Sequence, residues 1–154
     1  MEEALKNEIT DFVEKTKSII ISAKNEDDIP MVKAVTKLGN DGLSKIYYTT
    51  SMETNFFKYY EENPRTSVYL FDDDPNTPYP SMDEKYYSLS LIGVMKLVSD
   101  QKIKQRFLSD YLSQFFPDGV TDKDYNLMCF VVEKGKYYRG VTDNYLSKDF
   151  IVSE

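Results

Sequence analysis

The sequence predicts a mainly β domain, six or seven antiparallel strands closed into a barrel with about three helices packed outside. Three observations carry this. Short β-branched and aromatic runs recur between clusters of Gly, Pro, Asn and Asp, the punctuation of hairpins rather than of βαβ crossovers. The chain holds 13 Tyr and 9 Phe in 154 residues, side chains that suit a pleated, half-buried surface. Strand-forming surface on that scale needs its edges covered, and closing a sheet into a barrel removes them.

The elements follow in order. Residues 2–17 place Leu5, Ile9, Phe12, Val13 and Thr16 on one face at three-and-four spacing, an amphipathic helix. Ser18–Lys24 (SIIISAK) is a β-branched strand, and Asn25–Asp28 is a polar turn. Pro30–Leu38 is a second strand, with Pro at its start where no ladder donor is needed. Gly39-Asn40-Asp41-Gly42 is a hairpin signal, and Leu43–Thr50 returns as a strand. A short helix over 52–62 ends at Asn63-Pro64, because the residue before proline avoids the helical region. Thr66–Phe71 is the next strand, and Asp72–Glu84 is a loop rich in proline and acid. Lys85–Val98 is a long strand with Gly93 inside, which marks a bulge or a close backbone approach. Ser99-Asp100 caps a helix that carries Ile103, Phe107, Leu108, Tyr111 and Leu112 on one face, and Phe116-Pro117-Asp118-Gly119 breaks it. Tyr125–Glu133 is a strand, Lys134-Gly135-Lys136 a turn, and Tyr137–Val141 the last strand. With no repeat, low-complexity tract or linker, residues 1–154 read as one domain.

Composition excludes whole classes of chemistry. There is no histidine, so Ser-His-Asp triads, Cys-His pairs and His-ligated metals are out, and no metal is expected. The one cysteine, Cys129, forms neither an internal disulfide nor an iron–sulfur site, and suits a reducing compartment. The start, Met1-Glu2-Glu3-Ala4, is acidic where a secretory signal is basic, and no apolar run nears the ~20 residues that span a bilayer. A cytoplasmic protein without a membrane partner is expected. The net charge of −7 argues against nucleic acid. It leaves room for one phosphorylated small molecule in a local basic or amide pocket. Catalysis would rest on carboxylates, Lys, Tyr, hydroxyls or a borrowed cofactor.

Several motifs read as structural. Asp72-Asp73-Asp74 lacks the spacing and glycine of a calcium loop, and Asp83-Glu84 shows no sign of burial. Asp118, Asp122 and Asp124 suit turns and caps, Cys129 a buried inert thiol, and Tyr137-Tyr138-Arg139 sheet packing before ligand stacking. On residue type alone, Lys33 reads as a solvated strand lysine and Thr54 as a helix cap.

Three segments in order carry a family resemblance: Pro30-Met31-Val32-Lys33-Ala34-Val35; Ile46-Tyr47-Tyr48-Thr49-Thr50 with a short helix and Asn63-Pro64-Arg65-Thr66-Ser67-Val68-Tyr69; and Ile92-Gly93-Val94-Met95 with a helix and Phe116-Pro117-Asp118-Gly119-Val120-Thr121-Asp122-Lys123-Asp124-Tyr125. Together they resemble the FMN-binding split-barrel family related to pyridoxamine 5′-phosphate oxidase, and its short general-stress-protein-like members. The resemblance implies a homodimer with FMN in a groove between two barrels. Lys33 takes the family's basic strand position, with Val35 and Thr36 beside it on the strand. Thr49 and Thr50 stand where the family contacts the flavin, and Thr54 matches a phosphate-binding serine, followed by Asn55. The family commonly keeps an Arg-Lys pair after that serine, where this chain has Asn55 and Phe56. The reading is an FMN-binding oxidoreductase of an unidentified small molecule. The alternative is a non-catalytic split-barrel dimer that binds another planar ligand or no flavin.

Overall fold

Strict alternation sets the first ladder. In the computed structural model, which describes residues 1–72, 87–140 and 146–152, β1 (Ser18–Lys24) buries Ile19, Ile21 and Ala23 and turns the residues between them to the opposite face. It pairs along its length with β2 (Pro30–Thr36), Ser18 opposite Thr36 and Lys24 opposite Pro30. The Asn25 side chain holds the turn, accepting from the amides of Asp27 and Ile29 at 2.9 Å each. Before β1, helix α1 (Glu3–Lys15) buries Ile9 and Val13, as its apolar face predicts. The Lys37 ammonium donates to the Val13 and Glu14 carbonyls and to Asn40, closing the C-terminal end of α1.

The predicted hairpin turn at Gly39-Asn40-Asp41-Gly42 shifts toward the C-terminus. Gly39–Asp41 is itself a strand, β3, paired with β4 (Lys45–Thr50), and the chain reverses through Gly42, Leu43 and Ser44. Gly42 carries the positive φ of 52°, whereas a Cβ on Gly39 would lie 2.5 Å from the Phe107 ring. The first glycine of the motif serves close packing and only the second serves the turn.

The rest of the chain supplies α2 (Asn55–Glu62), β5 (Arg65–Phe71), β6 (Tyr87–Leu97), α3 (Gln101–Phe107), α4 (Asp110–Ser113), a 3₁₀ turn (Gly119–Thr121), β7 (Asn126–Arg139) and β8 (Leu146–Ile151). The sheet is antiparallel in the order β2-β1-β5-β6-β7-β4-β3, with β8 added to β7. Its two ends, β2 and β3, are consecutive in the chain. The Lys37 and Leu38 amides between them bond to the Lys17 and Tyr47 carbonyls, both at 2.8 Å. The sheet therefore curls into a ring that closes through the chain itself rather than through a ladder, a split barrel of the mainly β class predicted. Eight strands and four α-helices stand among the described residues.

Two expectations need correction. Lys134-Gly135-Lys136 is not a turn; it lies inside β7, a strand of 14 residues. One edge of β7 pairs with β6, and the other pairs first with β4 and then with β8, a strand the sequence reading lacks. Gly135 is there for space, since a Cβ would meet Phe150 at 2.5 Å and Leu91 at 2.7 Å. The predicted long helix after Asp100 is two helices. Asp100 caps α3 as expected, accepting from the Lys102 amide at 2.8 Å, but Ser109 caps a new start and Tyr111 is 67% exposed.

Gly93 marks a bulge, as predicted: the register shifts between Ile92 and Gly93, and a Cβ would sit 2.0 Å from the Val131 carbonyl oxygen. The main core fills the ring with Ile19, Ile21, Tyr48, Leu70, Leu91 and Phe130 among others. A smaller core lies outside it, where Ile103 and Phe107 of α3 cover Tyr47, Leu127 and Cys129. Among the described residues no helix is long and apolar enough to cross a membrane. Asp73, Asp74, Asp83 and Glu84 of the acidic motifs lie outside the described residues.

Candidate functional site

Both faces of β4 are covered over Ile46, Tyr47 and Tyr48, which are all buried. Beyond them the strand runs clear of the core, and Thr49 and Thr50 are half-buried. Thr54 then caps α2: its hydroxyl accepts from the Phe57 amide at 3.4 Å and donates to the Ser51 carbonyl at 2.9 Å. The Thr50 hydroxyl lies 3.5 Å from that of Thr54. The first turn of α2 holds no acidic residue, while Glu61 and Glu62 close its other end. The helix thus leaves its positive end uncompensated by its own side chains.

Register decides which candidates meet. Lys33 pairs with Ile21 and Val35 with Ile19, so both face the core side of the sheet. Val35 packs against the main core, and so does Phe56. The Lys33 ammonium lies over the Phe56 ring, 5.1 Å from its centroid. Phe56 in turn leans on Tyr59 and Tyr60, at 6.1 and 6.2 Å between centroids. Lys33 is half-buried and makes no ion pair among the described residues. Thr50 shares the core side of β4 with Tyr48, and Asn55 is exposed at the start of α2. Thr36, opposite Ser18, and Thr49, next to Thr50, point to the outward face. The structure therefore brings Lys33 to Phe56 in the first turn of α2, beside Thr54, Asn55 and Thr50, leaves Val35 packed against the main core, and turns Thr36 and Thr49 away.

Beneath this corner lies a hydroxyl network. The Tyr60 hydroxyl donates to the Ser22 carbonyl at 2.8 Å, and Tyr48 is buried in the same core. Burial pushes both phenols above their ordinary range. The corner offers a cation, hydroxyls, helix amides and aromatic rings, but neither a nucleophile nor a poised base. It can bind an anion beside an aromatic surface and leaves bond-making to whatever it binds.

The remaining motifs are structural. Both oxygens of buried Asp122 accept backbone amides, from Asp118 at 3.2 Å and Asp124 at 3.0 Å. Cys129 is buried, and burial raises its thiol pKa. The Tyr137 hydroxyl donates to Glu8 at 2.9 Å, and Arg139 reaches both oxygens of the same carboxylate. An open cleft of about 1300 Å³ lies between the start of α1 and the β7–β8 ladder. None of the seven candidate residues lines it, and its walls come from both faces of the ladder, Phe150 from one and Lys136 from the other. The residue that sequence reasoning missed is Phe56. It stands where the family keeps a cation, and no local pattern shows that Lys33, from another strand, reaches its ring.

The family model of pyridoxamine 5′-phosphate oxidase matches residues 5–139. No curated protein sequence matches the chain. Among solved structures, the chain is similar to a protein from Clostridium acetobutylicum related to general stress protein 26, of the pyridoxinephosphate oxidase family. The TM-score is 0.77 at 26% identity, covering 99% of this chain and 97% of that one. A heme binding protein from Mycobacterium smegmatis shares the fold with a TM-score of 0.71 at 12% identity, covering 96% of this chain and 59% of that one. HutZ, the heme storage protein from Vibrio cholerae, does so with a TM-score of 0.62 at 14% identity, covering 84% of this chain and 90% of that one.

Proposed function

The chain belongs to the pyridoxamine 5′-phosphate oxidase family, and on that premise we propose that it binds FMN as a homodimer and serves as an oxidoreductase of a small molecule. The observation that carries the reading is the Lys33 ammonium over the ring of Phe56 in the first turn of α2, a turn with no acidic residue of its own, with Thr50 beside the Thr54 cap. A phosphate monoester suits a cation, a hydroxyl and free amides, and this corner has Lys33, the Thr50 hydroxyl and the first amides of α2, while the Thr54 hydroxyl already donates to the Ser51 carbonyl. Asn55 and Phe56 add no charge, so the fit rests on one lysine where the family commonly has more basic groups. FMN, when bound, supplies hydride chemistry that a chain without histidine does not. The chain's own part is to hold the phosphate with Lys33 and the helix amides.

A second reading has its own support. Two of the similar structures are heme proteins, which favours another planar ligand in the same fold. Without histidine, heme iron in this chain would need Tyr, Cys or Met. Cys129 is buried under α3, and the family match favours a flavin over heme, so FMN is our leading reading.

Parallel fluorescence titrations with FMN and riboflavin test the proposal. Native protein should prefer FMN, and Lys33→Ala should weaken FMN by roughly tenfold to a hundredfold, the worth of a hydrogen bond to a charged group. Riboflavin, which lacks the phosphate, should not respond. Equal losses for both ligands would remove Lys33 from the phosphate. Heme uptake with no flavin binding would favour the second reading.

A further inference from the structure

We propose that Phe56 is a positioning residue: its ring holds the Lys33 ammonium beside the first turn of α2 without neutralising it. The idea rests on the FMN reading for its purpose, but not for its geometry. A lysine stem has four rotatable carbons, and its charge is useful to a phosphate only where it is held in place. A carboxylate would hold it too, but would cancel the charge. An aromatic face attracts the cation through its quadrupole and leaves the full charge for a third partner.

The structure has the features this requires. Lys33 stands 5.1 Å from the Phe56 centroid and makes no ion pair among the described residues. The ring is itself fixed, half-buried against the main core and leaning on Tyr59 and Tyr60. The arrangement also places a cation next to the positive end of a helix with no acid in its first turn. Such a pairing is unfavourable alone and is relieved when an anion joins both. Phe56 thus makes one lysine do part of the work of the basic pair, and what looks like a lost ligand becomes a support for the remaining one.

The test compares Phe56→Leu, which keeps a core side chain but no ring, with Phe56→Trp, which keeps a ring. Melting temperatures confirm that both fold. In ligand-free protein, the NMR signals of the Lys33 ε-methylene, assigned by their loss in Lys33→Arg, should be shifted upfield by the ring current. The shift should vanish in Phe56→Leu and persist in Phe56→Trp. Phe56→Leu should weaken FMN by about twofold to fivefold, the range of a cation–π contact, and leave riboflavin unchanged, while Phe56→Trp should match native protein. An unshifted Lys33 methylene in the native protein overturns the proposal whether or not flavin binds. So does Phe56→Leu binding FMN as the native chain does. Absence of flavin binding alongside a ring-dependent shift would sink the FMN reading and leave the seat of Lys33 standing.

Discussion

Gly93 and Gly135 both occupy points where a Cβ would collide, but with neighbours of different stiffness. At Gly93 the obstacle is the Val131 carbonyl oxygen, 2.0 Å away and fixed in the β6–β7 ladder. At Gly135 it is the ends of the Phe150 and Leu91 side chains. Overpacking typically costs about 1–3 kcal/mol. Gly93→Ala should reach or exceed the top of that range, because backbone has to move, and Gly135→Ala should stay lower, because side chains can give. Urea denaturation of the two variants decides this; equal losses would contradict it. The two glycines also differ in legibility. Gly93 interrupts a β-branched run, and a bulge is the natural reading of that. Gly135 sits between two lysines and looks like a turn, because the groups that crowd it are Leu91 and Phe150, far away in sequence. Phe56 was illegible for the same reason.

Arg106 on α3 bonds Asp41 on β3 at 2.6 Å, and the Tyr47 hydroxyl of β4 donates to the same carboxylate at 2.8 Å. This latch ties α3 to the β3–β4 hairpin. Burial works against the charge of Asp41, yet the bonds from Tyr47 and Arg106 outweigh it and hold the carboxyl below its ordinary 3.8. A pKa lowered on folding adds stability above the unfolded value and loses it as pH falls through the folded one. Asp41→Asn should therefore destabilise the protein at neutral pH by no more than about 1 kcal/mol, since the Asp41 and Arg106 side chains are both partly exposed. The two proteins should converge in acid, once the pH has fallen through the lowered folded-state value of Asp41. Unfolding curves from pH 7 into acid would show it; a gap that widens in acid would refute it. At this scale the sequence read α1, β1, β5 and β6 well, each having a period or a breaker of its own. It split β7 at a false turn and omitted β8, and it fused α3 with α4 because a shared apolar spacing hid the cap at Ser109.

The outward face of the first strands carries an apolar row. Ala34, Ile20 and Tyr69 stand opposite one another across β2, β1 and β5, with Val32 beside them at 66% exposure. Contiguous exposed apolar surface of this kind calls for a partner. Together with the homodimer that the family resemblance implies, it leads us to expect twice the chain mass in light scattering at micromolar concentration. A monomer at every accessible concentration would overturn this. The mainly β barrel was legible because hairpin punctuation and aromatic content are spread along the whole chain. Its mode of closure was not, since nothing local distinguishes Lys37 and Leu38 from the rest of a strand. Of the site, the sequence offered Lys33 and Thr54 only through family resemblance, and the division that turns Thr36 and Thr49 away came from register.

That closure leaves the wall beside Lys33 laddered on one edge only. Among the described residues no strand pairs with the second edge of β2, so every second amide there has no ladder acceptor. Those amides should trade their protons for deuterons without any opening of the ring, while β7, bonded on both edges, holds its own until the barrel comes apart. A ligand reaching Lys33 arrives at a stave of the barrel tied along one edge only, and no rung of the ladder has to break to let it in.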